Sequence, residues 1–143
     1  MTVRFADTNI LLYAVSTDAA EAGKAHVANA VLEDRQLHLS AQVLQEFYVQ
    51  ATRASRERPL SHEQAAGLVE SFLRFEIEPT TAGLVLDALA TRSRFGISYW
   101  DAAIIEAARR AGCDVVLSED LQDGQDFDGV SVENPFSTPR AWS

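Results

Sequence analysis

Phe5-Ala6-Asp7-Thr8-Asn9, running on into Ile10-Leu11-Leu12-Tyr13-Ala14-Val15, is the stretch whose reading decides the fold. Val3 and Phe5 are apolar in a segment too short to bury much as a helix, and a mostly apolar run follows Asp7 and Thr8. The pattern predicts a strand that ends on a carboxylate and feeds straight into a helix. In open α/β sheets, ligands bind outside the carboxyl ends of the parallel strands, near helix N-termini. Asp7 is therefore expected to found a metal site, joined by three carboxylates distant in sequence.

Further along, turn and cap residues Ser16-Thr17-Asp18 interrupt a helical stretch over 10–33. Gln36-Leu37-His38-Leu39 alternates as a short strand does, and Ser40 can cap a helix with Val43, Leu44, Phe47 and Ala51 on one face. Ser61-His62-Glu63-Gln64 fits a capping box. Glu76-Ile77-Glu78 suits a brief strand, and Thr80 or Thr81 opens a helix to about Arg92. Ser98-Tyr99-Trp100-Asp101 starts another, with Gly112 as its stop. Asp114-Val115-Val116-Leu117 reads as a buried parallel strand, and Val130-Ser131-Val132 as the last strand. Strands alternating with helices predict a single α/β domain over 1–143, in three layers, with a short central parallel sheet flanked by helices.

The 143 residues are enough to bury a core, and the hydrophobic fraction of 47% is that of a globular chain. Cys113 is the sole cysteine, so an intrachain disulfide is impossible. Ile10 to Val15 is far too short to span a bilayer, and Asp7 interrupts any leader-like opening. The expectation is a cytoplasmic protein with no membrane partner. Twelve Lys and Arg against 21 Asp and Glu give a net charge of −9, which excludes a basic nucleic-acid binder. Asp114, Glu119, Asp120, Asp123, Asp126, Asp128 and Glu133 form an acidic run without one base, and the remainder is nearly balanced. A polyanionic substrate would need a cation at the acidic centre.

Asp101 is the most telling of the candidate acids. At about 100° per residue it shares a helical face with Ile104, Ile105 and Ala108, while Glu106, Arg109 and Arg110 are expected on the opposite, solvated side. A carboxylate in line with a buried stripe is costly unless something satisfies it. Taken alone, Asp101 is well explained as an N-terminal cap, Glu46 as a solvent-facing flank residue, and Ser118 and Asp120 as caps of the next turn. Together, two acids at strand ends, one at a helix start and one on a helix flank can meet at one rim. Mg²⁺ and Mn²⁺ prefer such oxygen ligands. His26, His38 and His62 show no zinc-ligand spacing. A haloacid-dehalogenase-type phosphatase requires an aspartate where this chain has Asn9, and a receiver domain requires a late lysine where the only lysine is Lys24. A calcium loop over Asp123–Gly129 fails on spacing, and no Walker motif is present.

With those residues in hand, the chain resembles PIN-domain ribonucleases. Phe5 to Ala14 is similar to the opening motif, Glu46 in Ser40–Phe47 to the helical glutamate, Ile97–Ile105 to the third acidic motif, and Val116–Leu121 to the fourth. A single short domain of this kind is similar to VapC toxins of type II toxin–antitoxin modules. The resemblance implies Mg²⁺- or Mn²⁺-dependent cleavage of structured RNA, a homodimer, and neutralisation by a VapB-type antitoxin. It also implies Asp7, Glu46, Asp101 and Asp120 as the acidic quartet that binds metal, supported by Asn9 and Ser118, with Asp123 as a possible extra acid. Arg53, Arg56, Arg58, Arg92 and Arg94 are expected in connections rather than in apolar stripes and are candidates for the RNA backbone, or for pairing with nearby acids on a solvated face. Two rival readings are a DNA-directed flap-type nuclease, for which the chain lacks room for a clamping insertion, and a non-catalytic module whose acidic pocket receives a basic peptide. Phe136 and Trp142 would anchor a partner or pack on the domain.

Overall fold

The computed structural model describes residues 2–137. Its elements follow in the order β1 (Arg4–Ala6), α1 (Thr8–Ala14), a 3₁₀ turn (Ala19–Glu21), α2 (Ala22–Val31), β2 (His38–Ser40), α3 (Ala41–Ala51), α4 (His62–Phe72), β3 (Glu76–Glu78), α5 (Ala82–Phe95), α6 (Tyr99–Arg110), β4 (Val115–Leu117), β5 (Asp126–Phe127) and β6 (Val130–Glu133). The strands form one sheet in the order β3-β2-β1-β4-β6-β5. Five are parallel, and β5 alone runs antiparallel, against β6. The expected parallel sheet thus acquires an antiparallel edge. It is made by Asp128 and Gly129, whose positive φ values of 53° and 99° suit a two-residue hairpin turn.

Capping residues set the helix starts. Ser40 accepts the Val43 N–H at 3.2 Å, Thr81 that of Leu84 at 3.2 Å, and Ser61 and Gln64 close the expected capping box. Each such cap contributes about 1 kcal/mol. The α5 helix runs one turn past Arg92, to Gly96, whose φ of 68° ends it in the left-handed conformation. Phe5, Leu11, Leu39, Phe47, Ile105, Val116 and Leu117 are completely buried in the core between sheet and helices. One expectation about α6 is overturned. Glu106 is not on a solvated side but only 5% exposed, because α5 packs along the face of α6 that the sheet leaves open. Among the described residues, no helix is long and apolar enough to cross a membrane.

Candidate active site

Sheet order reverses its chain sense between β1 and β4. From β1 the chain moves outward to β2 and β3, and returns on the other side through β4 and β6. Such a switch point opens a crevice at the strand carboxyl ends. The register pairs Ala6 with Leu117, so the next residues, Asp7 and Ser118, emerge side by side. The Asp7 N–H continues the ladder to the Leu117 carbonyl at 3.0 Å, and the Ser118 N–H does so to Glu133 at 3.1 Å.

Asp7 is the N-cap of α1. Its Oδ1 accepts the Thr8 N–H at 2.7 Å, and its Oδ2 accepts the Ser118 hydroxyl at 2.8 Å. Both oxygens are thereby fixed, with only 7% of the residue exposed. Burial pushes the carboxyl up to about 6, against the opposing pull of the Thr8 and Ser118 hydrogen bonds, and the charges of Asp120 and Glu46 push the same way. Glu46, half-buried on α3, accepts from the Thr8 hydroxyl at 2.9 Å and from Gln42 Nε2 at 3.4 Å. Asp120 accepts from Asn9 Nδ2 at 2.7 Å, and its N–H donates to Ser118 Oγ at 3.2 Å. Its carboxyl is also held above the usual range, first by partial burial and then by the charges of Glu119 and Asp101. Asp101, half-buried in the first turn of α6, donates its N–H to the Ser98 cap at 3.1 Å.

The four acids therefore lie along one rim, coupled through space as Glu46–Asp7 and Asp7–Asp120, with Asp120–Asp101 closing the series. Among the described residues, none of them forms an ion pair. Nor are any three His, Cys, Asp or Glu side chains already gathered into a chelate. Asn9 and Ser118 make the hydrogen bonds expected of supporting residues. Asp123 points elsewhere: it accepts the Asn134 N–H at 2.9 Å and the Ser137 hydroxyl at 3.5 Å, and so ties down the chain after β6.

Two supporting residues escaped the sequence reading. Thr8 connects α1 to Glu46, and the buried Gln42 joins Glu46 to the Trp100 carbonyl, 3.3 Å away. Adjacency to Asp7 and i,i+4 spacing to Glu46 were the available signals. Glu119 is turned from the rim by Lys24 and Tyr13, with Lys24 also lying over the Tyr13 ring at 4.9 Å. Phe136 packs edge-on against Tyr13 at 5.1 Å, whereas Trp142 lies outside the described residues.

The candidate arginines separate. Arg58 donates to the Thr17 carbonyl at 3.0 Å, beyond the end of α1 that is remote from Asp7, and Arg53 and Arg56 share that connection. A cavity of about 260 Å³ there is lined by Asp18 and Glu21 as well as Arg56 and Arg58. Arg94 is bound in a two-pronged ion pair to Asp128. Arg92 is exposed in the last turn of α5.

A mostly parallel α/β sheet with carboxylates at its switch point defines the class of domain. The chain belongs to the PIN domain family, whose model matches residues 4–127. A comparison with curated proteins returns no match. Among solved structures, the fold is similar to a toxin–antitoxin complex from Klebsiella pneumoniae, with 20% identity, a TM-score of 0.67, and 89% of this chain and 94% of that chain covered. It is similar also to Mycobacterium tuberculosis VapC20, described as a sarcin-ricin loop cleaving toxin (20% identity, TM-score 0.62, 82% and 91% covered). DNA-bound VapBC from Salmonella typhimurium shares the fold at 18% identity and a TM-score of 0.66, with 93% and 98% covered.

Proposed function

We propose that this PIN domain is a divalent-metal-dependent endoribonuclease and the toxin of a type II toxin–antitoxin module. The observation that carries the proposal is Asp7: a buried carboxylate, anchored at both oxygens, with two further acids beside it and, among the described residues, no cationic side chain in ion-pair contact. Such an arrangement destabilises the fold unless a cation joins it. The donors are all hard oxygens without a thiolate or imidazole, which suits Mg²⁺ or Mn²⁺ and not zinc. The residues present fit that ion by chemistry and by charge.

Asp7 and Asp101 would hold the principal ion, with Asp120 and Glu46 completing the site directly or through water. When bound, the ion lowers the pKa of a coordinated water and offsets charge on the phosphate. The chain's own part is orientation. Ser118 holds one oxygen of Asp7 while accepting the Asp120 N–H, so the two strand-end acids move as one unit. Asn9 aims Asp120, while Thr8 and Gln42 aim Glu46. Hydrogen bonds of this kind tune metal affinity severalfold or more. A half-exposed rim then leaves room for a phosphodiester to approach.

Antitoxin neutralisation is supported by the similar fold of the Klebsiella pneumoniae structure, described as a toxin–antitoxin complex, and by that of VapBC from Salmonella typhimurium. The chain is taken to act in the cytoplasm as a homodimer, which sedimentation of the purified protein tests. The decisive experiment incubates that protein with total RNA and Mg²⁺ or Mn²⁺, with EDTA as control, and maps new ends. Discrete metal-dependent cuts are expected; intact RNA with both metals overturns the proposal.

A further inference from the structure

Trp100 is the one Phe, Tyr or Trp among the described residues whose side chain is left mainly to solvent, at 62% exposure. A tryptophan is costly to leave in water, and large apolar residues so exposed commonly mark a contact surface. The other exposed large apolar residues, Val49, Leu73, Leu86 and Leu89, are aliphatic and lie on or just beyond α3, α4 and α5. Trp100 differs in kind and in place. It directly precedes Asp101 in the first turn of α6. Its carbonyl accepts from Gln42, the same amide that reaches Glu46, so its backbone is tied to the acidic rim. Tyr99 packs against its ring edge-to-face, with centroids 5.1 Å apart at 79°, which braces the indole while leaving most of its surface open.

We propose that Trp100 is a stacking platform for an unpaired RNA base next to the cleaved phosphate. The inference rests on the ribonuclease reading and adds to it how the strand is held. The acidic rim repels the phosphate backbone and can attract it only through a cation, so affinity must come partly from uncharged contacts. Stacking supplies it without charge, because every base has a π-face, and single-stranded RNA is commonly held on aromatic side chains. A platform beside Asp101 also fixes the strand's register against the reacting phosphate. A neighbouring base would dock while the backbone bends into the rim.

The test uses the full chain and an oligoribonucleotide spanning a cut mapped in total RNA, together with versions lacking one base on either side of that cut. Trp100→Ala is expected to raise KM about tenfold, with kcat within about threefold, the size of one lost stacking contact. Trp100→Phe should recover most of that loss. Removing the stacked base should cost wild type about the same factor and cost Trp100→Ala nothing further. An unchanged KM in Trp100→Ala, or losses that multiply, overturns the stacking role while leaving the nuclease reading intact. Trp100→Ala protein that cleaves normally but fails to self-associate or to bind its antitoxin would assign the ring to a protein interface instead. If wild type cuts no RNA with Mg²⁺ or Mn²⁺, both readings fall together.

Discussion

Asp7 and Glu106 are both buried carboxylates, 7% and 5% exposed, and the chain treats them oppositely. Glu106 sits between α5 and α6, where Thr91 donates to it at 2.7 Å and Arg109 at 3.0 Å. The same guanidinium reaches the carbonyls of Phe127 and Asp128 at 2.6 and 2.9 Å, so the charge is compensated and the network staples the β5–β6 hairpin to α6. Among the described residues Asp7 has hydrogen bonds but no ion-paired cation, and the charges acting on it are those of acids. Burial alone therefore does not identify a functional acid. What separates the two is whether the chain supplies the countercharge or leaves it to be supplied.

The largest effect expected from this contrast is on activity. Asp101→Asn should lower metal-dependent RNA cleavage by at least about a hundredfold with little change in melting temperature, because the Ser98 cap binds the Asp101 backbone rather than its carboxylate. Full activity in that variant would remove Asp101 from the metal set. Next comes the same isosteric change at the two buried acids, with opposite signs. Glu106→Gln should destabilise the fold by about 1–2 kcal/mol, discounted because Arg109 is partly exposed. Asp7→Asn should instead stabilise the metal-free protein at pH 7–8 by about 1–2 kcal/mol, as relief of the buried charge outweighs one weakened hydrogen bond. Denaturant unfolding at constant pH checks both.

Asp7 also predicts a pH window. Its carboxyl titrates near 6 in the folded chain against 3.8 for the ordinary group, so the folded state holds that proton more tightly. The associated stability is fully present below about pH 4 and is lost as pH rises through about 6, a swing of about 3 kcal/mol. The difference in unfolding free energy between wild type and Asp7→Asn should follow that course, and a flat difference would contradict it. Excess Mg²⁺ should raise the melting temperature of wild type but not of the variant. Ser118→Ala, which removes the hydroxyl from Asp7 Oδ2, should weaken Mg²⁺ binding about tenfold.

Much of this site was legible in the sequence because it depends on strand ends. Asp7 and Ser118 each follow a short apolar run, and parallel pairing of those runs brings them together. Asp101 was legible through helical periodicity, and Ser98 through its cap spacing. Glu106 was misplaced for a related reason: periodicity assigns one buried face, and α6 is covered on two, by the sheet and by α5. The β5 strand has two residues, too few to show alternation. Thr8 and the Gln42–Trp100 contact were hidden because those partners lie on other elements, and the i,i+4 spacing of Gln42 to Glu46 was the one local sign of its role.

The smallest predicted effect concerns the arginines, where the same criterion of supplied countercharge applies in reverse. Arg94 is already committed to Asp128, so reaching a phosphate would require it to break a two-pronged ion pair. Arg92, exposed two residues earlier in the same last turn of α5, forms no such pair among the described residues. Arg92→Ala should weaken RNA binding modestly and reduce the dependence of log affinity on log salt by about 1, the signature of one lost phosphate contact. Arg94→Ala should leave that slope unchanged and act, if at all, on stability, by less than about 1 kcal/mol for so exposed a pair. Equal slopes in wild type and Arg92→Ala would remove Arg92 from the RNA path. A reduced slope in Arg94→Ala would show that the Asp128 pair opens to release its cation to the substrate, which would make the hairpin turn part of the binding surface rather than a staple.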